Sequence, residues 1–259
     1  MARFFVIGDL HGEYGKFQSL WRKIGFREGE DRALFLGDYL DRGPGNVEMM
    51  TWVLRHLVRE DMVFLRGNHD EMMLASFQEG RETDTDSWYK KIDSLWLENG
   101  GSETLRQIRA SGRMKELLPA WCGAVRHMPL YWQETICGRK YIFAHAGICR
   151  DPAVPLEEMA AEDFLWSRDL ALHRDDYHRE EIVVIGHTPL PALGLPARPQ
   201  AFSGGRVLMM DTGSYLPGGC ISCLDLLSGE VWQSDGTTGT GGAGGRLRRG
   251  LCGFFTKRR

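Results

Sequence analysis

Five short apolar runs in this chain each end in a cluster of residues that commonly bind metal ions. The runs are FFVIG, ALFLG, MVFLRG, YIFA and IVVIG, and the clusters that end them are GDLHG, GDYLDRG, GNHD, HAG and GHTP. Each run has the length and composition of a buried strand. Ligand sites of α/β sheets lie beyond the carboxyl ends of the strands. We therefore expect the five clusters to meet in one polar site.

The N-terminal part of the chain alternates between strand and helix patterns. Strands are predicted over residues 3–8, 33–37 and 62–66, and helices over about 13–24, over about 46–59 and from about 71. Such alternation is typical of βαβ units with parallel strands.

A helical insertion rich in aromatic side chains is predicted over about residues 83–121. Within it, WLENGG is typical of a helix that ends at glycine, and SETL of a capping box that begins the next helix. Strands are predicted again over residues 131–136, 141–144, 182–186, 206–211, 220–226 and 230–233. This order favours an α/β fold in which two mixed β-sheets pack together and helices flank them.

Length and charge limit the function classes. The chain has 259 residues, 42% of them hydrophobic, which is enough for one large domain, expected over residues 1–233. A net charge of −3 gives no indication of a nucleic-acid partner. No apolar run is long enough to span a membrane, and a cleavable signal would remove the first cluster, so a cytoplasmic location is expected. Six cysteines are too few for a disulfide framework; Cys220 and Cys223 are interpreted as buried strand residues, with a redox pair as the alternative.

Residues 234–259 are predicted to form a glycine-rich linker and a basic tail. The last 14 residues contain six basic and no acidic side chains, together with Leu251, Phe254 and Phe255. One interpretation is a disordered, solvated tail. The other is a weak contact with a membrane surface or an acidic partner.

Six residues of the clusters are predicted metal ligands. A pair of ions needs a shared carboxylate, and Asp38 is predicted to provide it, with the remaining ligands on either side: Asp9, His11, Asn68, His145 and His187. Oxygen and imidazole ligands without thiolate favour manganese, iron or zinc over calcium. Two divalent ions are therefore predicted, with Mn2+ preferred. Such a pair can activate water and bind phosphoryl oxygens.

The other polar residues of the clusters are assigned to phosphate binding and acid catalysis. Arg42 can bind two phosphate oxygens at once, and Arg168, in FLWSRD, is a second candidate. His69 follows a predicted ligand and is the candidate general acid. Asp41 is predicted to orient its ring.

The five clusters, in this order, resemble those of the phosphoprotein phosphatase family of metallophosphoesterases, over about residues 4–225. The resemblance implies a calcineurin-like fold and hydrolysis of phosphate esters by metal-bound hydroxide. It implies one metal at Asp9, His11 and Asp38, and another at Asp38, Asn68, His145 and His187. It also implies phosphate contacts at Arg42, Asn68 and Arg168, and an acid at His69 with Asp41 behind it. Asp70 departs from the family, since many relatives have glutamate there.

The substrate is less constrained than the reaction. WSRD and WLENGGSETL resemble bacterial serine/threonine protein phosphatases, which predicts a phosphoprotein or phosphopeptide substrate. DRGPG is equally similar to diadenosine tetraphosphate hydrolases, so a nucleotide hydrolase is the alternative, with Trp88 or Trp96 stacking on a base. A phosphate-binding protein without activity is a third hypothesis. It predicts that some metal ligands are missing, but all six predicted ligands are present in this sequence.

Several residues outside the clusters are assigned structural roles. The histidines are His56, His127, His173 and His178. Trp88, Trp96 and Trp121 are interpreted as core side chains more readily than as a substrate platform. Asp211 is a candidate to hydrogen-bond a ligand loop.

Overall fold

Two mixed β-sheets lie face to face in the computed structural model of this chain, and helices cover their outer faces. The structure describes residues 2–77 and 94–236 and the backbone of residues 245–246. Trp88 and most of the tail predicted over residues 234–259 lie outside this part of the chain. The predicted fold class, two packed mixed sheets flanked by helices, is confirmed.

The first sheet has six strands and the second has five. Three neighbouring strands in each sheet pair in parallel, and the other pairings are antiparallel. In spatial order the first sheet contains β11 (Gly245–Arg246), β10 (Glu230–Gln233), β9 (Ser222–Asp225), β1 (Phe4–Ile7), β2 (Arg32–Phe35) and β3 (Met62–Phe64). The second contains β4 (Tyr131–Ile136), β5 (Arg139–Ala144), β6 (Ile182–Ile185), β8 (Val207–Met209) and β7 (Gln200–Phe202).

The described helices are α1 (Tyr14–Ile24), α2 (Asn46–His56), α3 (Asn68–Ser76), α4 (Ser94–Trp96), α5 (Ser102–Ala110), α6 (Met114–His127), α7 (Ala161–Leu165) and α8 (Asp169–Leu172). A π-helical turn, Leu97–Gly101, joins α4 to α5, and short 3₁₀ turns cover Leu156–Glu158, Leu190–Leu193 and Ser203–Gly205. None of these helices combines the length and hydrophobicity that a transmembrane segment requires.

Three apolar layers hold the sheets and helices together. The central layer lies between the sheets, where Phe4 of β1 stacks on Phe143 of β5 with ring centroids 5.9 Å apart. A second layer packs the helices against the first sheet and includes Trp96 and Trp121, both fully buried. The core interpretation of these two tryptophans is therefore confirmed. A third layer covers the outer face of the second sheet with α7 and α8.

Two helix starts differ from the sequence prediction. Helix α3 begins at Asn68 rather than near Glu71, because the Asp70 carboxylate accepts the N–H of Gly67 at 2.9 Å and caps the first turn. The predicted capping box at Ser102 is wrong. The helical segment that contains Trp96 is interrupted at Gly100, whose φ of 109° is not helical, as expected of a helix that ends at glycine, and no side-chain cap forms at the start of α5.

The two cysteines of the C-x-x-C sequence agree with their interpretation as buried residues. Cys220 and Cys223 are buried and carry free thiols, and Cys223 lies in β9.

Residues beyond position 233, the predicted end of the domain, contact the first sheet. Ser234 is buried, and its hydroxyl accepts the N–H of Ile221 at 3.0 Å. The backbone of Gly245–Arg246 pairs with β10.

The free energy of unfolding should depend on one buried carboxylate at the end of the first sheet. Asp31 is fully buried and accepts hydrogen bonds from Arg3 Nε at 3.2 Å and from the backbone and guanidinium of Arg27 at 2.9 and 3.0 Å. Burial opposes the charge of Asp31, but the bonds from both arginines outweigh it and hold the pKa well below its usual range.

We expect Asp31→Asn to lower the free energy of unfolding by about 2 kcal/mol at pH 7, the value typical of hydrogen bonds to a charged group. A depressed pKa contributes stability above the unfolded-state pKa of about 4, and that contribution is lost as the pH falls below it. Urea unfolding at pH 7 and pH 3 tests this. The difference between wild type and variant should narrow at pH 3, and an unchanged difference would contradict the assignment.

Candidate metal centre

The predicted ligands come from the carboxyl ends of strands in both sheets. Asp9 and Asp38 follow β1 and β2 in the first sheet, and His145 and His187 follow β5 and β6 in the second. A backbone N–H of His187 donates to Asp9 Oδ2 at 3.0 Å, and His145 Nδ1 lies 2.8 Å from the carbonyl oxygen of Leu36. These two bonds join the loops of one sheet to those of the other, so the packing of the sheets assembles the site.

One group of possible ligand atoms surrounds Asp38. Atoms of Asp38, His145 and His187 all lie within 4.8 Å of one another. The side-chain oxygen of Asn68 lies 2.9 Å from His145 Nε2 and 2.9 Å from His187 Nδ1. The structure therefore brings together the four residues predicted for the second ion.

A second group also contains Asp38, but its other members differ partly from the prediction. It consists of His11, Asp38 and His69, again with one atom of each within 4.8 Å of the others. His11 Nε2 lies 3.6 Å from Asp38 Oδ2 and 2.8 Å from Arg42 Nη1. His11 can therefore bind a cation through this nitrogen only when the Arg42 guanidinium turns away.

Asp9 lies beside these groups rather than within them. It is buried, and its carboxylate oxygens accept the backbone N–H of His187. Burial, followed by the negative charges of Asp211 and Asp38, raises the pKa of Asp9 well above its usual range. Its role as a ligand stays a prediction.

Burial opposes the negative charge on several of the carboxylates around Asp38. Burial raises the pKa of Asp211 to about 6, and burial together with Asp38 raises the pKa of Asp70. Burial opposes the charge on His145, but the Asp38 carboxylate outweighs it and raises the pKa of that imidazole to about 9. Several acids buried around one small volume are stabilised by bound cations.

The donor set fits divalent metal ions. Burial, with a further effect of His145, lowers the pKa of His187 to about 3, which keeps the imidazole in the neutral form that binds metals. His187 Nε2 is buried and has no hydrogen-bond partner among the described residues. Carboxylate, amide and imidazole ligands, without thiolate, suit manganese, iron or zinc.

The predicted acid and its orienting carboxylate are in contact. His69 Nδ1 lies 2.7 Å from Asp41 Oδ2, and both side chains are buried. The backbone N–H of His69 donates to Asp38 Oδ1 at 3.0 Å, so the ring is placed beside the predicted bridging ligand. Because Nδ1 is bound to Asp41, Nε2 is the nitrogen that can transfer a proton to a substrate.

Backbone strain is concentrated in these loops. Seven described residues other than glycine have a positive φ, and the five that belong to the predicted site are His11, Asp38, Asp41, Arg42 and His187. This conformation is costly for a residue with a side chain and persists where the surrounding structure enforces it. Here it turns successive side chains of short loops toward the same volume.

The predicted phosphate-binding arginines differ in how closely they approach the centre. Arg42 contacts His11, and its guanidinium lies 4.1 Å from the ring centroid of Tyr215. Arg168 is exposed at the start of α8, and its charge contributes to the low pKa of His187. Asn68 lies between the two imidazoles described above. Phosphate binding by these residues stays a prediction.

Sequence reasoning missed Tyr215 and Thr104 at the site, and it named Trp96 without predicting its contact with Asp41. Tyr215 packs against His11 with ring centroids 4.8 Å apart, and Trp96 and Thr104 both donate hydrogen bonds to Asp41. Tyr215 follows MMDTGS, in which Asp211 had already been noted, so proximity in sequence was the available signal. Asp211 itself hydrogen-bonds its own loop, through the N–H of Gly213 at 2.8 Å, and its carbonyl oxygen accepts the N–H of Leu190 beyond the GHTP cluster.

The remaining histidines have structural partners away from these groups. Each ring lies close to an oxygen of a neighbouring residue: His56 to the carbonyl of Trp52, His127 to that of Gly123, His173 to Asp169 and His178 to Asp176. None of the four belongs to either group of ligand atoms, in agreement with their interpretation as residues outside the site.

Comparison with protein families identifies one model that spans the site. The model described as calcineurin-like phosphoesterase matches residues 2–215. The matched range contains every residue of both ligand groups, together with Asp9, Asp41, Arg42 and Arg168.

Some relatives that match this chain are named serine/threonine-protein phosphatases, and others are named bis(5'-nucleosyl)-tetraphosphatases. Serine/threonine-protein phosphatase 2 of Escherichia coli strain K12 is 29% identical over 165 residues, which cover 64% of this chain and 67% of that protein. The symmetrical bis(5'-nucleosyl)-tetraphosphatase of Chromobacterium violaceum is 33% identical over 130 residues, or 45% of this chain and 44% of that protein. A solved structure titled as a putative diadenosine tetraphosphatase shares the fold, with a TM-score of 0.62, 17% identity, and coverage of 92% of this chain and 95% of that one.

Proposed function

Because this chain belongs to the calcineurin-like phosphoesterase family, we propose that it is a metal-dependent phosphomonoesterase that removes phosphate from serine and threonine side chains of proteins. The observation that carries the proposal is the contact between His69 and Asp41 beside the two groups of ligand atoms around Asp38. An acid at this position is suited to protonating a leaving oxygen.

The presence of a buried acid pair favours a phosphomonoester substrate over a dinucleoside tetraphosphate, because the two substrates have different leaving groups. Hydrolysis of a serine phosphate expels an alkoxide, which is a very strong base and therefore needs a proton as the P–O bond breaks. Cleavage of a dinucleoside tetraphosphate expels a nucleotide phosphate, which is already a stable anion. The buried acid pair is needed for the first reaction far more than for the second.

The position of Trp96 also favours the protein substrate. A base-stacking role requires an accessible ring face, but Trp96 is fully buried and donates its indole N–H to Asp41 at 3.0 Å. Trp88, the other stacking candidate, lies outside the described residues.

The proposed reaction assigns a separate task to each group of residues. Asp38, His145, His187 and Asn68 would hold one divalent ion, and His11 and Asp9 would join Asp38 at the other. When bound, the ions supply Lewis acidity toward water and the phosphoryl oxygens. We propose Mn2+ as the preferred metal.

Phosphate positioning and proton transfer are left to the protein. Arg42 would release His11 and form paired hydrogen bonds with two phosphate oxygens. Arg168 is proposed as the second phosphate contact, from the side of His187. His69 would donate the Nε2 proton to the leaving oxygen while Asp41 stabilises the ring that carries it.

The competing activity is hydrolysis of dinucleoside tetraphosphates, since relatives with that name match this chain as well. A side-by-side comparison of kcat/KM separates the two. The substrates are a phosphoserine peptide, a phosphothreonine peptide, 4-nitrophenyl phosphate and diadenosine tetraphosphate, each with Mn2+, Fe2+ or Zn2+. We expect phosphate release from the peptides, with the highest rates in Mn2+. Rapid cleavage of the dinucleotide without peptide dephosphorylation would contradict the proposal.

A further inference from the structure

The segment from Trp96 to Gln107 packs against the loop that carries Asp41. We propose that Trp96 and Thr104 are positioning residues for the Asp41–His69 pair, and that this helical segment is therefore part of the acid-catalysis apparatus. The inference rests on the proposed function, because it assigns these residues to the proton-transfer step of that reaction.

The Asp41 carboxylate is held by three side-chain donors. His69 Nδ1 lies 2.7 Å from Oδ2, the Trp96 indole N–H donates to the same oxygen at 3.0 Å, and the Thr104 hydroxyl donates to Oδ1 at 2.6 Å. All four side chains are fully or almost fully buried. A buried carboxylate is costly without such donors, and donors on both oxygens fix the plane of the carboxylate.

Thr104 binds the same residue twice. Its hydroxyl donates to the Asp41 carboxylate and accepts the backbone N–H of Asp41 at 3.1 Å. Asn46 Oδ1 accepts that N–H as well, at 2.7 Å. Serine has the same hydroxyl and can make both Thr104 bonds, whereas valine, of nearly equal size, can make neither.

Two glycines allow the segment to approach the loop. Gly100 has a φ of 109°, and a Cβ there would lie 2.8 Å from Arg42 Cγ and 2.9 Å from Arg42 N. A Cβ on Gly101 would lie 2.3 Å from the ring of Trp96. Larger residues would push the segment away from Arg42 and displace the indole.

Gln107 closes the far end of the same contact. Its side-chain oxygen accepts the N–H of Asn46 at 2.8 Å, and its amide group donates to the carbonyl oxygen of Gly43 at 3.0 Å. The loop needs such support because Asp41 and Arg42 both have a positive φ. Polar side chains of the segment WLENGGSETLRQ thus hold this loop in place.

Orientation of the carboxylate matters for the proton-transfer step. With Asp41 fixed, His69 Nδ1 has one partner and the Nε2–H can be directed at a leaving oxygen. Small displacements of a general acid reduce proton transfer strongly because the reaction requires hydrogen-bond distance. Expulsion of 4-nitrophenolate, by contrast, needs little protonation.

The test compares Thr104→Val with Thr104→Ser. For Thr104→Val we expect kcat on a phosphoserine peptide to fall by roughly 10- to 100-fold, which is part of the ~10²–10⁴-fold contribution of a general acid. On 4-nitrophenyl phosphate we expect a fall of less than about 3-fold, with KM nearly unchanged on both substrates. Thr104→Ser should restore the peptide rate. Equal losses on the two substrates would indicate a merely structural role and overturn the inference.

Thr51→Val provides a matched control, since the Thr51 hydroxyl bonds the carbonyl oxygen of Val47 within α2 and accepts from Arg113. It should leave both rates unchanged, and a substrate-selective loss in this control would count against the inference.

A second measurement does not depend on activity. In the metal-free protein, the proton on His69 Nδ1 is observed by NMR and assigned by its loss in His69→Asn.

We expect this proton signal to be broadened by solvent exchange in Thr104→Val and retained in Thr104→Ser. An unchanged signal in Thr104→Val would overturn the positioning role. If the wild-type protein releases no phosphate from any peptide, the proposed function fails, while the NMR comparison still decides whether Thr104 orients the pair.

Discussion

Replacement of Asp38 by asparagine is expected to abolish phosphatase activity while leaving the protein folded. Asp38 belongs to both groups of ligand atoms, so its negative charge would serve both cations. Loss of charge stabilisation at a metal centre is worth several kcal/mol, and each 1.4 kcal/mol changes the rate tenfold. We therefore expect kcat/KM to fall by at least about 10³-fold. The purified variant should also retain less Mn2+ than the wild-type protein.

The variant is suited to the test because asparagine preserves the local geometry. Asp38 has a φ of 53°, a conformation that asparagine tolerates better than most residues, and the amide oxygen can still accept the N–H of His69. The midpoint of thermal unfolding in the absence of metal should change little. Asp176→Asn is the matched control, since Asp176 is exposed and paired with Arg150 and His178. Activity of Asp38→Asn within tenfold of wild type would refute the bridging role.

His69→Asn is expected to produce the second large effect, and that effect should depend on the leaving group. General acid catalysis contributes about 10²–10⁴-fold, and we expect most of that loss on phosphoserine and phosphothreonine peptides. On 4-nitrophenyl phosphate the loss should be under about tenfold, because that leaving group departs without a proton. The measurement is kcat with both substrates at saturating Mn2+.

His127→Asn is the control for a histidine change away from the site, since His127 is exposed and bonds the carbonyl of Gly123 in its own helix. It should match wild type on both substrates. Because His69 also belongs to the ligand group with His11 and Asp38, metal content must be measured in His69→Asn. Equal losses on peptide and aryl phosphate, with bound metal reduced, would identify His69 as a ligand rather than an acid.

The strand-and-cluster pattern predicted most of the fold from local chemistry. Apolar runs such as IVVIG are buried on both faces when they become parallel strands, so their period and length were informative, and β1, β2, β5 and β6 lie close to the predicted positions. Helix starts were less predictable. The cap of α3 depends on the Asp70 carboxylate turning back to Gly67, and the π turn at Leu97–Gly101 depends on contact with a loop more than 50 residues earlier.

Residue type and order along the chain were sufficient to propose the six ligands, the acid pair and the arginines, because metal and phosphate chemistry restricts which side chains can serve. Only the folded structure placed Asp9 against the backbone of His187, His11 against Arg42, and the indole of Trp96 and hydroxyl of Thr104 on Asp41. These contacts join segments that are up to 178 residues apart. They depend on how two sheets and a helical segment pack, and no local sequence pattern encodes the distance between side chains brought together in that way.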